Sequence, residues 1–217
     1  MYEKNLIFID TETTGVDEKD RLFQVAYDYN GTQKEELFLS PVPISIESSE
    51  VTHYTNDDIK NKKSFKESKF KIELEKIFQK KNTILVAHNA KFDIKMLEKE
   101  KIKKINSFID TYKLAQVLDT QGKLNAYRLQ YLRYALKLNI GKIPAHQALS
   151  DVIVLKSLFK RLYKKMKNDN PKKKDNEIIK KMIEISKAPI LIKKFNFGKY
   201  KGLTVEEVAK KDIGYLN

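Results

Sequence analysis

Hydrophobic and polar residues recur along this chain with two periods, and the changes between them mark out its elements. Residues 4–11 hold the unbroken apolar run Leu6-Ile7-Phe8-Ile9, the pattern of a strand buried on both faces. Arg21 to Tyr29 (RLFQVAYDY) reads as a second strand, Asn30-Gly31 as a two-residue hairpin turn, and Thr32 to Ser40 as a returning third strand. Pro41 and Pro43 break that pattern. The period then lengthens. Thr55 to Asp58 has the capping residue and the following acid of a helix start, and Phe70, Leu74, Ile77 and Phe78 give a helix its apolar face. Thr83 to Ala87 (TILVA) is a short buried strand. Helices are expected over Ala90 to about Lys101, Thr111 to Leu118, Tyr127 to Leu138 and, after a loop marked by Gly141 and Pro144, from about Gln147 to Met166. Strands first, then mixed strand and helix, imply an α/β domain with a mixed sheet.

The polar stretch Asn168 to Asn176 (NDNPKKKDN), interrupted by Pro171, reads as a linker. A helix follows around Glu177 to Lys187. Thr204-Val205-Glu206-Glu207 is a capping box for one last short helix. Three parts are therefore expected: a domain over 1–167, a linker and helix over 168–193, and a small C-terminal module over 194–217.

Composition narrows the partners. With 217 residues, 41% of them hydrophobic, the chain buries a real core, and no apolar run approaches the ~18 residues of a membrane span. A soluble, cytoplasmic protein is expected. The absence of cysteine removes disulfides, thiolate zinc sites and cysteine nucleophiles together. A net charge of +14 favours a polyanionic partner, although lysines scattered over helix surfaces give the same total.

Against that basic background, five residues carry chemistry. Asp10 and Glu12 lie two apart in a strand, so both side chains point to one face. Gly15 then permits a tight turn and a close backbone approach by a substrate. Asp93 sits on a helix whose inward face includes Ala90, Met96 and Leu97; it either meets a cation there or faces water beside Lys91 and Lys95. Asp151 continues the stripe of Leu155, Leu158 and Leu162, where it either holds a cation or complements the helix dipole. His146 precedes it by five residues, and an unperturbed histidine, with a pKa of ~6.5, suits a base acting on water near neutral pH; a structural role is the alternative. Gathered carboxylates repel and need neutralising. An all-oxygen set selects hard cations, magnesium or manganese, and two such ions would balance four carboxylates. His88 is expected to pack or hydrogen-bond at a strand end, before Asn89. His53 either touches a nucleotide or simply occupies a loop.

In order and spacing, FIDTETTG (Asp10, Glu12), HNAKFD (Asp93) and HQALSD (His146, Asp151) resemble the three motifs of the DEDDh branch of the DnaQ-like 3′→5′ exonucleases, over roughly residues 4–165. The resemblance implies a ribonuclease-H-like mixed five-stranded sheet flanked by helices, with the acids gathered at one edge of the sheet. It implies two divalent cations, Mg2+ or Mn2+, bridged by Asp10 and completed by Glu12, Asp93 and Asp151, with His146 deprotonating the attacking water. The backbone at Thr13, Thr14 and Gly15 would meet the terminal nucleotide, with His53 and Asn89 as further substrate contacts. Many relatives carry H-G-[IL]-T before the second motif; this chain reads His53-Tyr54-Thr55.

The tail, FNFGKYKGLTVEEVAKKDIGYLN, resembles the C-terminal module of exodeoxyribonuclease X-like proteins. Phe195, Phe197 and Tyr200 alternate with Lys193, Lys194, Lys199 and Lys201. That alternation either stacks bases and holds phosphates or builds a small core, which is favoured for the phenylalanines. A hairpin is expected over 195–202, and such relatives tend to continue past Tyr215-Leu216-Asn217. The expected activity is release of nucleoside 5′-monophosphates from 3′ ends, with DNA favoured over RNA as the nucleic-acid partner. Trimming of RNA ends, a polymerase proofreading subunit and a silent nucleic-acid-binding module are the rival readings.

Overall fold

The computed structural model describes residues 4–103, 105–141, 148–189, 195 and 198–216. Among these, five strands form one sheet: β1 (Leu6–Thr13), β2 (Leu22–Tyr29), β3 (Thr32–Leu37), β4 (Ile84–Ala87) and β5 (Phe108–Asp110). Their order is β3-β2-β1-β4-β5. β1–β2 and β2–β3 are antiparallel, whereas β1–β4 and β4–β5 are parallel. The turn between β2 and β3 has positive φ at Asn30 (52°) and Gly31 (85°), which the right-handed twist of a tight hairpin demands. In chain order the helices are α1 (Ile46–Thr52), α2 (Asn56–Ile59), α3 (Lys69–Gln79), α4 (Ala90–Lys99), α5 (Thr111–Leu118), α6 (Leu129–Ala135), α7 (Ala148–Asp169), α8 (Asp175–Lys187) and α9 (Val205–Lys211).

Both faces of the sheet are covered, which is why β1 begins with four apolar residues in a row. Leu6, Phe8, Ala26, Val86 and Ile109 pack against Leu155, Leu158, Phe159 and Leu162 of α7. Ile7, Ile9, Val25, Tyr27 and Leu85 pack against Phe70, Leu74, Ile77 and Phe78 of α3 and Leu97 of α4. The mixed sheet flanked by helices is the predicted fold, with one refinement. The acids lie toward the carboxyl end of β1, which is the central strand of the sheet rather than a lateral one.

The helix expected around Glu177 to Lys187 is α8. Ile178, Ile179 and Met182 of α8 are buried in the same core as Leu6 and Phe8. Ser186 Oγ accepts the Asp110 N–H at 2.8 Å, so α8 lies along β5. The polar NDNPKKKDN stretch runs from the last residues of α7 into the first of α8. Other differences are local. The third strand stops at Leu37 because Leu39 N–H turns to Lys63 O at 3.0 Å. The helix predicted over 127–138 is trimmed to α6, with Lys137 at φ 49° just beyond it. Helix α1 and strand β5 had no counterpart in the residue pattern.

In the tail, Phe195 N–H donates to Leu203 O (2.8 Å) and Gly202 N–H to Phe195 O (2.7 Å), closing a hairpin-like turn. Tyr215 sits edge-on against Phe195 and Tyr200, with ring centroids 5.7 and 4.9 Å apart. Asp212 accepts from Lys199 Nζ and Tyr200 OH, each at 2.8 Å. Phe195 therefore serves a small aromatic core, as expected; Lys193, Lys194 and Phe197 lie outside the described residues.

Candidate active site

Strand β1 delivers the first two acids. Asp10 is opposite Ala26 and Glu12 opposite Gln24 across the β1–β2 pair, so both project on the α7 side of the sheet. Asp151 reaches them from the first turn of α7. Asp10, Glu12 and Asp151 each offer a carboxylate oxygen, and these oxygens lie within 4.8 Å of one another. Asp93, in the first turn of α4, is 4% exposed and accepts from Thr11 Oγ1 at 2.9 Å. It is turned toward Thr11 rather than joining the close trio, yet its charge acts on both Asp10 and Glu12. The reading in which Asp93 faces water is excluded.

Burial followed by mutual repulsion sets the electrostatics. Desolvation, then the charges of Glu12, Asp93 and Asp151, hold the Asp10 carboxyl well above the usual carboxylate range. Glu12 is pushed up to about 8 by desolvation and then by Asp151 and Asp93. Asp93 rises to about 7, chiefly through burial, against the opposing hydrogen bond from Thr11. Such a pocket seeks positive charge. Its donors are all carboxylate oxygens, so the residues present fit a magnesium or manganese ion.

Residues that the motifs did not flag hold these acids in place. Gln130 Nε2 of α6 donates to Asp151 Oδ1. Arg133, buried, donates in turn to Gln130 Oε1 (3.3 Å) and to Gly141 O (3.2 Å). Gln24, 1% exposed, donates to Tyr54 OH at 3.2 Å, and its Oε1 accepts the Ala148 N–H at 3.5 Å. Tyr54 thus props a residue beside Glu12. Glutamine and arginine on amphipathic helices look like ordinary surface positions in sequence; only the packing reveals them.

The TTG turn is clamped from within. Thr14 Oγ1 donates to Asp20 Oδ1 (2.9 Å) and accepts the Arg21 N–H (3.1 Å), while Asp17 N–H donates to Asp20 Oδ2 (2.7 Å). Thr14 N–H bonds Arg21 O and Thr14 O accepts the Ser45 N–H, both at 2.9 Å. Ser48 Oγ donates to Thr13 O, and Thr13 Oγ1 to Gly15 O at 2.7 Å. Gly15 is needed for a reason other than backbone freedom: a Cβ there would lie 2.5 Å from Asp20 Oδ2.

The remaining sequence-predicted residues are spread around this centre. His53 is exposed at the C-terminal cap of α1, in a left-handed conformation (φ 62°). Asn89 caps α4 at φ 69° and donates its N–H to Asp110 Oδ1 at 3.0 Å. His88 has both ring nitrogens engaged. A carbonyl only accepts, so Nε2 carries the hydrogen bonded to Tyr127 O (2.7 Å) and Nδ1 accepts from Thr111 Oγ1 (2.9 Å). Burial lowers its pKa to about 4, so it is neutral and structural, as expected. His146 lies outside the described residues.

Known proteins resemble this chain in sequence and in fold. A family model described as exonuclease matches residues 7–159, and one described as exodeoxyribonuclease X-like C-terminal matches residues 195–217. The DNA polymerase III subunit epsilon of Treponema pallidum is 34% identical over 163 residues, covering 69% of this chain and 72% of that protein. The PolC-type DNA polymerase III of Thermotoga maritima is 32% identical over 177 residues, 76% of this chain and 12% of the polymerase. Exodeoxyribonuclease 10 of Escherichia coli is 32% identical over 134 residues, 60% of this chain and 54% of that protein. Among solved structures, exonuclease X in complex with 5′ overhanging duplex DNA superposes with a TM-score of 0.61 at 23% identity, covering 83% of this chain and 99% of that one. A zinc-bound complex of E. coli exonuclease I with single-stranded DNA gives 0.61 at 18% identity, covering 78% and 41%. At those identities the structural likeness speaks for the fold alone. Motif order, sheet topology and family match together place the chain in the DnaQ-like 3′→5′ exonuclease family, with an exodeoxyribonuclease X-like tail.

Proposed function

We propose that this enzyme removes nucleotides one at a time from DNA 3′ ends and releases nucleoside 5′-monophosphates. The observation that carries the reading is the convergence of Asp10, Glu12 and Asp151 oxygens within 4.8 Å of one another, with Asp93 buried nearby. Asp10, Glu12, Asp93 and Asp151 would hold two divalent cations, magnesium or manganese. When bound, such cations supply Lewis acidity and neutralise the charge of the four carboxylates.

The chain's own groups do the rest. His146 takes the proton of the attacking water. The new P–O bond forms as the bond from phosphorus to the 3′ oxygen of the penultimate nucleotide breaks, and that oxygen is protonated from solvent. The Thr13-Thr14-Gly15 turn, His53 and Asn89 orient the terminal nucleotide. DNA is favoured because the relatives named above are DNA polymerase subunits and exodeoxyribonucleases. The likeness to a polymerase III epsilon subunit also favours a second reading, a proofreading partner of a polymerase, which co-purification with a polymerase would support. No helix among the described residues is long and apolar enough to cross a membrane, and a cytoplasmic site of action belongs to the same proposal. We further propose that the catalytic body runs through α8 and that residues 195–217 form the separate small module.

Magnesium-dependent digestion of end-labelled single-stranded and duplex DNA and RNA is the test. A ladder shortening from the 3′ end of DNA is expected. Asp10→Ala should abolish it while leaving salt-sensitive DNA binding intact, and His146→Ala should slow it ~10²-fold or more. Cleavage by Asp10→Ala at the parental rate would refute the cation assignment.

A further inference from the structure

One acid beside the site comes from no motif. Asp10 pairs with Ala26 across β1–β2, and Ala26 pairs with Glu35 across β2–β3. The three residues form one row on one face of the sheet, with only the Ala26 methyl between the two acids. The neighbouring Lys34 turns the other way, to Glu73 of α3, as strand alternation requires. Glu35 therefore faces α7, and its Oε1 accepts the Leu149 N–H at 2.8 Å. That N–H belongs to the first turn of α7, whose leading amides have no partner within the helix. The adjacent Ala148 N–H goes to Gln24 Oε1 at 3.5 Å, from the neighbouring strand. Two sheet side chains thus grip the end of the helix that presents Asp151, two residues past Leu149.

Resting on the exonuclease reading above, we propose that Glu35 is a positioning residue: by holding the Leu149 N–H it sets the depth and direction at which α7 offers Asp151 to the Asp10–Glu12 strand. Only Asp151 spans helix and sheet in the close trio, so a small displacement of the α7 end opens the oxygen cluster. The negative charge of Glu35 also acts on Asp10 and Glu12, which adds to the pull on a cation. The hydrogen bond, not this charge, is the part that positions.

Glu35→Ala and Glu35→Gln separate the two effects, since glutamine keeps an acceptor oxygen and loses the charge. Three readouts apply to each full-length protein: amide hydrogen exchange at Leu149, Mn2+ affinity by EPR titration, and kcat and KM on a DNA oligonucleotide at saturating Mg2+. In Glu35→Ala, Leu149 exchange should speed up, Mn2+ binding should weaken severalfold, and kcat should fall about tenfold with KM unchanged, the cost of a misplaced catalytic group. Glu35→Gln should stay within about threefold of the parent in each. A Glu35→Ala protein that merely melts earlier, with parental Mn2+ affinity and kcat, would show a plain helix cap and overturn the proposal. So would a Glu35→Gln protein as impaired as Glu35→Ala, which would leave charge as the cause. A parent that cuts no oligonucleotide would instead remove the exonuclease reading, and the exchange and Mn2+ arms would still decide the role of Glu35.

Discussion

Asp93 and Glu12 show how much of the site's behaviour resides in single side chains. Their carboxyls keep a proton to about pH 7 and about pH 8, whereas an unfolded carboxyl gives it up near pH ~4. A group that binds its proton more tightly when folded stabilises the fold fully below the unfolded value, and that contribution disappears as pH rises through the folded value. The cation-free protein should therefore lose thermal stability between pH 5 and pH 9. Magnesium should raise the melting temperature more at pH 8.5 than at pH 6, where it competes with protons. Asp10→Asn should flatten both slopes. Calorimetry with EDTA or with Mg2+ at a series of pH values checks this; a cation-free midpoint that climbs steadily with pH would contradict the placement of these acids.

The TTG turn shows what an element adds. Its shape depends on Asp20 lying where a Gly15 side chain would have to go. Gly15→Ala should destabilise the protein by about 1–3 kcal/mol through overpacking, and Asp20→Ala should also destabilise it by freeing the Thr14 hydroxyl and the Asp17 amide. The double variant should be less impaired than the sum, because the collision is gone; urea unfolding of all four proteins measures the coupling. β1, β2 and α7 were legible because burial imposes an apolar run or stripe that nothing else explains. Helix α1 (IESSEVT) was not, since it is held by Ser45 and Ser48 docking on Thr13 and Thr14 rather than by an apolar face. β5 is three residues long, too short for a period to register. The acids were legible from their motifs; Gln24, Gln130, Arg133 and Glu35 gain meaning only once register and helix packing bring them beside the motif residues.

At the scale of the whole molecule, α8 closes the body. Met182 is fully buried with Leu158 and Leu162 in the core beneath the sheet, so Met182→Ala should cost about 2–5 kcal/mol, read from the urea midpoint. A value under ~1 kcal/mol would mean that α8 is an attached segment instead.

The two lateral strands of the sheet are treated in opposite ways, and that difference governs how the protein behaves in a crowd. On the β5 side, Ser186 takes up the Asp110 amide, so α8 shields the open backbone. On the β3 side, Thr32 through Glu36 are exposed and no helix pairs with the strand's outer backbone among the described residues. The charged run Lys34-Glu35-Glu36 is of the kind that discourages a second chain from adding its own strand there, since its side chains would have to give up water. Replacing Lys34 and Glu36 with valine, while sparing Glu35, should leave each molecule folded yet drive concentration-dependent self-association visible by light scattering. Removing charge from this rim would turn a guarded strand into a template on which polymers could grow.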